Sequence, residues 1–434
     1  MGRGVSFLGI FILILLAWAF SDNRKRFPWR LVAWGVTLQF VFCLLVLGIP
    51  ALGVAGPLRF AFEAANHAIN ATIDFTLAGS RFMFGDLVDT KKFGFILAVQ
   101  VLPTIIFVGA LMSVLYHLGV MQKITHAFAV IMQKTMKTSG AETLAGAANI
   151  FVGQTEAPLI IKPFVPTMTR SELLCLMVGG MANTAGGVMA AYVGLLRDRL
   201  PDIAGHLLAA SILSAPAALL LAKVLIPETT TPQTYGRVPK ESTRSPHANV
   251  IDAAASGASE GLTLALNVMA MLIAFIALIA LVNACLAGLG SLAGFGSWGT
   301  GWTPETLRIA GQEPQLTLQS LFGWMFAPLA FVIGVPWSEV AVAGQLLGEK
   351  TILNEFVAYV HLAELAPRLS DRTFILLSYA LSGFANFSSI AIQIGGIAPL
   401  APERRGDLAR LGVRAVVGGT LASLMTAAVV GIFI

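Results

Sequence analysis

Residues 139–161 read SGAETLAGAANIFVGQTEAPLII, and residues 338–360 read SEVAVAGQLLGEKTILNEFVAYV. Both stretches run from small residues through a polar turn with one glutamate into apolar residues, so that Glu156 and Glu355 occupy equivalent places. A single stretch of this kind in an apolar chain would support no conclusion, whereas two matching stretches indicate an internal repeat. Internal repeats of this kind are typical of membrane transporters.

A second shared motif follows each stretch at a similar distance. Residues 180–183 read GMAN, and residues 383–386 read GFAN. Each motif lies inside an apolar segment, where the asparagine predicts an unwound point in a helix. A plain interhelical hydrogen bond is an equally good explanation of either asparagine alone. Two matched features in the same order nevertheless predict a twofold repeat.

The composition predicts that most of the chain lies in lipid. It is 56% hydrophobic and 12% charged, with a mean hydropathy of +0.79, whereas soluble domains carry roughly a quarter charged residues. The three cysteines lie in apolar segments and form neither a disulfide framework nor a metal-ligand pattern. We therefore expect an all-α polytopic membrane protein without an organic cofactor.

The apolar segments predict eight transmembrane helices, since about 20 apolar residues span a bilayer. The first follows Arg3 and has no small-residue cleavage site after it, so we expect a retained helix and not a signal peptide. The predicted spans are approximately residues 5–20, 31–54, 93–119, 171–196, 204–226, 258–290, 372–398 and 409–434.

The cations predict the orientation, because basic residues concentrate in cytoplasmic loops. Alternate loops carry Arg24, Lys25, Arg26 and Arg30; Lys123, Lys134 and Lys137; Arg237, Lys240 and Arg244; and Arg404, Arg405, Arg410 and Arg414. The loop near 291–316 holds only Arg308. A bacterial inner-membrane protein with both termini periplasmic is the expected topology. The net charge of +5 is then explained by the basic cytoplasmic loops, and no nucleic-acid partner is expected.

Three stretches are too polar or too interrupted to cross lipid alone. Residues 55–85 have apolar residues at helical spacing and predict an interfacial amphipathic helix; an ordinary exposed loop is the alternative. Residues 121–170 and 315–366 each predict an interfacial helix followed by a re-entrant hairpin. Leu316 to Val335 is assigned to the interface, interrupted by Pro328, because each repeat unit then crosses the membrane three times. Successive copies with an odd number of crossings are inverted.

These assignments divide the chain into five parts. They are two N-terminal transmembrane helices (1–54), an interfacial helix and loop (55–92), a first inverted repeat with hairpin 1 (93–226), a cytoplasmic loop (227–257), and a second inverted repeat with hairpin 2 (258–434).

The polar hairpin tips predict the functional site. Non-helical backbone at membrane depth is tolerated only where it is buried in protein or lines a watery cavity. An intramembrane carboxylate also costs about 2.5 kcal/mol or more on insertion scales. Glu156 and Glu355 could simply brace the hairpins through hydrogen bonds, but two carboxylates at two equivalent tips favour a functional role.

At these residues the chain resembles the concentrative nucleoside transporter family. The resemblance rests on GQTEAPL at 153–159, NEFVAY at 354–359 and GFANFSSIAIQIGG at 383–396, and it extends over nearly the whole chain. It implies a homotrimer in which each protomer has eight spans, two opposed hairpins and its own site. It also implies cation-coupled import of nucleosides, for which uridine and other pyrimidine nucleosides are the leading candidates.

The resemblance assigns roles to eight residues. The nucleobase would be bound by Gln154, Thr155, Glu156 and Val188. The ribose would be bound by Glu355, Phe384, Asn386 and Ser389. Amides and carboxylates can pair with donors and acceptors on a base edge, and a carboxylate is a strong acceptor for a diol.

The resemblance also implies a sodium site between the first hairpin's tip and the unwound fourth span. Its residues would be Asn149, Val152, Asn183 and Thr184. Asn183 stands where a small hydroxyl residue is more usual in the family. An amide oxygen remains a hard ligand for a cation, so sodium is expected, and proton coupling stays open as the alternative.

Two other classes of function compete with a coupled transporter. A membrane-embedded enzyme could use Glu156 and Glu355 as a general acid/base pair, but no nucleophile motif accompanies them. A passive channel would require a continuous polar stripe on several spans, whereas polarity here is confined to the hairpins and two helix breaks.

Overall fold

The computed structural model describes residues 2–48, 56–94, 96–239, 247–294 and 316–434. Within these ranges the chain is helical and contains no strand beyond an isolated bridge between Ser139 and Tyr235. The predicted all-α membrane architecture is confirmed. Three of the basic residues used to predict the orientation lie outside the described residues: Lys240, Arg244 and Arg308.

The helices alternate long apolar segments with short broken ones. In chain order they are α1 Gly2–Ala19, α2 Trp29–Leu47, α3 Arg59–Phe84, α4 Thr90–Phe93, α5 Leu97–Gln100, α6 Leu102–His117, α7 Val120–Met136, α8 Gly140–Ala148, α9 Ala157–Ile160, α10 Arg170–Ala182, α11 Gly186–Leu196, α12 Ile203–Leu225, α13 Val250–Leu292, α14 Leu318–Val332, α15 Val340–Ile352, α16 Glu355–Leu365, α17 Asp371–Ala380, α18 Phe387–Ile397 and α19 Arg405–Phe433.

Seven helical segments of the described chain are long and apolar enough to cross a bilayer. The predicted span 372–398 is not one continuous helix, because residues 381–386 separate α17 from α18. The predicted span 171–196 is likewise broken between α10 and α11. Pro328 lies inside the continuous helix α14, so the predicted interruption there is wrong. Helix α13 begins at Val250, within the stretch predicted as a loop.

Asparagine side chains cap two of the helices that follow polar turns, whereas α11 follows Ala185 without a side-chain cap. Asn354 caps α16 by accepting from the Val357 N–H at 2.9 Å, and Asn386 caps α18 by accepting from the Ser389 N–H at 2.8 Å. Such caps satisfy amide groups that a helix N-terminus leaves without partners. The second GxAN motif therefore marks a helix start, as an unwound segment requires.

The core is built from α8, α10 and α12, which are almost entirely buried, and from α19, most of whose residues are buried. The two N-terminal helices join this group, since α1 packs on α19 and α2 packs on α12. By contrast, α13 is largely exposed and packs mainly against α6. A Cβ built at Gly257 would lie 2.5 Å from the Gly109 carbonyl oxygen, so this crossing requires glycine.

Loops from distant parts of the sequence meet at two opposite ends of the core. At one end Asp22 forms ion pairs with Arg170 and Arg414, and Arg404 donates to the Met168 carbonyl at 2.6 Å. This end gathers most of the cations predicted to be cytoplasmic. Burial opposes ionisation of Glu228 there, but Lys223 and Thr169 lower its pKa overall.

The other end holds both chain termini. Arg3 Nε donates to the Ile434 carbonyl at 2.9 Å, and Arg372 donates to the same oxygen at 2.8 Å. Arg197 and Arg199 also lie at this end, where they pair with Asp74 and Asp371. The termini therefore lie side by side.

Candidate functional site

A cavity of about 140 Å³ lies where both hairpins meet both broken helices. The hairpins are the α8–α9 and α15–α16 turns, and the breaks are those after α10 and α17. The residues lining it are Gly153, Gln154, Thr155, Glu156, Ala185, Val188, Leu264, Val268, Met271, Leu272, Asn354, Glu355, Phe356, Phe384, Asn386, Ser388, Ser389 and Ile392. All eight residues predicted to bind the nucleobase or ribose are among them.

Glu355 is a buried carboxyl group of the cavity. It is the first residue of α16, where the positive end of the helix dipole favours a carboxylate. Its Oε1 accepts from the Tyr192 hydroxyl at 3.1 Å, and its Oε2 accepts from the Asn386 Nδ2 at 2.9 Å. Tyr192 stacks on Tyr359 with 4.1 Å between ring centroids, which holds the hydroxyl in place.

The orientation of the Asn386 amide follows from its cap. Its Oδ1 accepts from the Ser389 N–H and from the Ser388 hydroxyl at 2.7 Å. The Nδ2 must therefore face the Glu355 carboxylate. A donor and an acceptor thus lie next to one another on the wall of the cavity, as recognition of adjacent hydroxyl groups would require.

Gln154 joins the first hairpin to the second half of the chain. Its Nε2 donates to the Ser389 hydroxyl at 3.2 Å, and its Oε1 has no partner among the described residues although it is buried. Glu156 Oε2 accepts from the Gly153 N–H at 2.7 Å, which closes the tip of hairpin 1. The first half thus offers the cavity a free amide oxygen and a carboxylate.

The four residues predicted to bind sodium lie beside the cavity. Asn149 and Val152 follow α8, and Asn183 and Thr184 form the break between α10 and α11. The Gly186 N–H donates to the Phe151 carbonyl at 3.0 Å, so the hairpin tip and the break are in direct contact.

Asn149 fits a cation site better than Asn183 does. Asn149 is 1% exposed, and neither of its side-chain polar atoms has a partner among the described residues. The Asn183 amide is already engaged, because its Nδ2 donates to the Gly179 carbonyl at 3.0 Å and its Oδ1 accepts from Ser214 at 2.6 Å. The ligand atoms available to a cation here are amide, hydroxyl and carbonyl oxygens, which hard cations prefer.

Transition-metal chemistry is not indicated by the described part of the chain. No group of three or more His, Cys, Asp or Glu side chains that could hold a metal ion occurs there. Cys43 and Cys175 are buried, Cys285 is exposed, and all three are free thiols.

Sequence reasoning missed one wall of the cavity. Leu264, Val268, Met271 and Leu272 of α13 line it, and these apolar side chains at helical spacing look like those of any lipid-facing helix. Tyr192 was also missed. Its signal was a phenol inside an apolar helix, where the hydroxyl needs a buried partner.

Comparisons with known proteins agree along the chain. Residues 8–87 match the family model described as Na+ dependent nucleoside transporter N-terminus, and residues 206–431 match the corresponding C-terminus. Between them, residues 98–199 match a model described as nucleoside recognition.

Two bacterial relatives are similar over nearly their full length. An uncharacterized transporter of Haemophilus influenzae is 45% identical, with 99% of this chain and 97% of the relative covered. The nucleoside permease NupC of Helicobacter pylori is 38% identical, with 99% and 97% covered. The solved structure of CNTnw in an inward-facing substrate-bound state has a TM-score of 0.87 at 43% identity, covering 100% of this chain and 98% of that one. A CNTnw variant in an outward-facing state has a TM-score of 0.88 at 42% identity, covering 100% and 98%.

Proposed function

Because the chain belongs to the concentrative nucleoside transporter family, we propose that it is a sodium-coupled symporter that imports nucleosides by alternating access. The relatives are named as transporters and permeases, and the protein is a transporter and not an enzyme. The Glu156 and Glu355 carboxylates would therefore bind substrate, and they would not act as the general acid/base pair of a membrane-embedded enzyme.

The cavity at the meeting point of the two hairpins carries this proposal. It unites polar side chains from residues 154–156 and 354–355 with those from residues 384–389. The helix breaks supply polar groups at membrane depth, which is where transporters of this type bind substrate. Leu264 and Val268 close the other side with apolar surface, against which a base or sugar face can pack.

The two ends of the cavity suit the two ends of a nucleoside. Glu355 and Asn386 present an acceptor beside a donor for the ribose hydroxyls, assisted by Ser389 and Phe384. Gln154, Thr155, Glu156 and Val188 would contact the nucleobase. Gln154 Oε1, which has no partner among the residues that the structure describes, supports a hydrogen bond to a base donor. Uridine and other pyrimidine nucleosides are the proposed substrates.

Sodium is the proposed coupling ion. The matching family models describe sodium-dependent transporters, and the buried Asn149 side chain, which lies beside the carbonyls of the hairpin tip, has no hydrogen-bond partner within the described ranges. The proposed ligands are Asn149, Val152, Asn183 and Thr184. A sodium ion there would lie beside a cavity that holds two carboxylates, and its charge would offset theirs.

An elevator-like movement fits the packing. Hairpin 1 packs on α10 and α12 of the core, whereas hairpin 2 packs mainly on α14 and also contacts α11 and α17. Helices α1 and α2 pack on α19 and α12. Helices α6 and α13 cross each other closely and touch this core mainly through α11 and the apolar wall of the cavity. The core would carry the site past α6 and α13.

The proposed setting is the bacterial inner membrane, with both termini periplasmic. The contact of Arg3 with Ile434 supports an even number of crossings, since it places the termini at the same end. The homotrimer implied by the family resemblance remains a proposal, which native mass spectrometry of the detergent-solubilised protein would test.

Uptake into proteoliposomes tests the function. An inward sodium gradient should drive unmodified uridine above equilibrium, and a sodium ionophore should abolish the accumulation. Equilibration without accumulation would indicate a channel. Accumulation driven by a pH gradient alone would replace sodium by protons.

A further inference from the structure

Lys350 is a buried cation that the proposed function does not use. It lies in the last turn of α15, within hairpin 2, and is 1% exposed. Its ammonium donates to the Ala380 carbonyl at 2.9 Å, the Ser423 hydroxyl at 3.0 Å and the Ser382 carbonyl at 3.3 Å. An ammonium group has three donors, and all three are used.

The partners of Lys350 are neutral oxygens. Among the described residues no carboxylate forms an ion pair with Lys350, whereas the equally buried Lys223 lies 2.7 Å from Glu142 and 3.2 Å from Glu228. A buried charge without a direct ion-pair partner is costly, and Glu355 of the same hairpin compensates it through a longer-range electrostatic interaction. The cost is reduced here because Ala380 ends α17, where unpaired carbonyls form the negative end of the helix dipole.

This environment is that of an alkali-metal site. Two carbonyls at a helix break and a hydroxyl from α19 are ligands of the kind that hard cations select, and broken helices in transporters bind sodium through such carbonyls. In the first half of the chain, α8 has no basic residue in its last turn, and the proposed sodium ligands lie between α8 and the break after α10. In the second half, the ammonium group of Lys350 lies between α15 and the break after α17.

The two positions are also in contact. The Thr184 hydroxyl, a proposed sodium ligand, accepts from the Gly383 N–H at 2.8 Å and lies 3.3 Å from the Ser382 hydroxyl. The Ser382 carbonyl in turn binds Lys350. One short segment thus connects the first cation position to the ammonium.

We infer that Lys350 is a tethered cation, which occupies in the second half the position that sodium takes in the first and holds the α17–α18 break in its binding conformation. The inference rests on the proposed function for its parallel with sodium. Lys350 is a positioning residue, because the segment it holds, residues 381–386, ends at Asn386, which contacts Glu355.

Replacing Lys350 by residues of two sizes tests the inference. Lys350→Ala removes the charge and leaves room for a free cation, whereas Lys350→Met removes the charge and fills most of the space. Both variants should bind uridine about tenfold or more weakly than the wild type at a fixed sodium concentration. Added ammonium chloride should restore uridine binding to Lys350→Ala and leave Lys350→Met impaired. Choline chloride at the same concentration should restore binding to neither variant.

A readout without nucleoside separates this inference from the proposed function. Ammonium chloride should raise the melting temperature of purified Lys350→Ala, and neither the wild type nor Lys350→Met should respond, because only the alanine variant contains a vacated cation site. This response is expected even if the substrate or the coupling ion has been assigned wrongly. Wild-type uridine affinity in both variants, or equal losses that ammonium does not restore, would overturn the inference.

Ser423→Ala is the milder variant if Lys350→Ala does not fold. It removes one of three acceptors and changes the side-chain volume little. The inference expects a several-fold loss of uridine affinity in a protein that still purifies as the wild type does. Unchanged affinity in this variant would contradict it.

Discussion

The Asn386 amide donates to the Glu355 carboxylate across 2.9 Å, although 31 residues separate the two. The other end of the amide is held by the N-terminus of α18, so the hydrogen bond has only one possible orientation. The hairpin tip and the helix break therefore form one preorganised surface. A substrate that binds there does not have to order these two groups.

Glu355→Gln should abolish concentrative uptake of uridine while the protein still inserts. One carboxylate oxygen becomes an amide that faces the Tyr192 hydroxyl or the Asn386 amide, and the loss of a charged acceptor costs about 1.5–3 kcal/mol, or about tenfold to a hundredfold in affinity. Glu364→Gln, an exposed position on the same helix, is the control. Wild-type uptake by Glu355→Gln would refute the ribose assignment.

Asn183→Ala should weaken sodium dependence more than it weakens uridine binding at saturating sodium. Asn149→Ala should do so more strongly, because the Asn149 amide has no partner in the described part of the chain while Asn183 is bonded to Ser214. We expect a rise of about tenfold in the sodium concentration for half-maximal uptake. Asn70→Ala on α3 is the control. Uptake that responds to pH and ignores sodium would replace this site by proton coupling.

Crosslinking hairpin 1 to α13 should stop transport. Cysteines at Thr155 and Leu264, which line the same cavity, can be joined by a reducible thiol crosslinker after the exposed Cys285 is replaced. If the core moves past α13, the crosslink traps one facing state, and reduction should restore uptake. Full uptake with the crosslink in place would favour local gating by the hairpin tips.

Gly383→Ala should destabilise the protein by about 1–3 kcal/mol, because Gly383 has φ of +104° and a Cβ there would lie 2.6 Å from the Ala182 carbonyl oxygen. Gly395→Ala is the matched control, since Gly395 lies inside α18 and the described residues place no atom within 4 Å of a Cβ built there. That variant should be neutral or stabilised by up to about 1 kcal/mol. Melting temperatures in detergent measure both effects, and equal values would contradict the assigned strain.

The sequence was most informative where polarity conflicted with its surroundings. Glu156, Glu355 and Asn386 stand out in apolar segments because an intramembrane polar group needs a compensating partner, and the structure places all three on one cavity. The helix breaks at 183–185 and 381–386 were predictable from the same conflict. The inverted relation of the two halves, and the total of eight spans, stay predictions.

Other features gave no such signal. The α13 wall is apolar, and nothing in Leu264 or Met271 distinguishes a cavity lining from a lipid contact. Lys350 did carry a signal, a cation within an apolar hairpin, but its meaning depended on knowing that Ala380 and Ser423 supply oxygens from remote helices. The docking of α1 on α19 likewise depends on side-chain packing that periodicity does not encode.

The ammonium of Lys350 also bears on the voltage dependence of transport. Lys350 and Glu355 belong to the same hairpin, so a moving core would carry both, and together the two residues would add no net charge to it. One sodium ion would then make the loaded core electrically positive relative to the empty one. A membrane potential of 100 mV acts on that charge with about 2.3 kcal/mol, equivalent to a concentration ratio of about fiftyfold, so import would draw on the potential as well as on the sodium gradient.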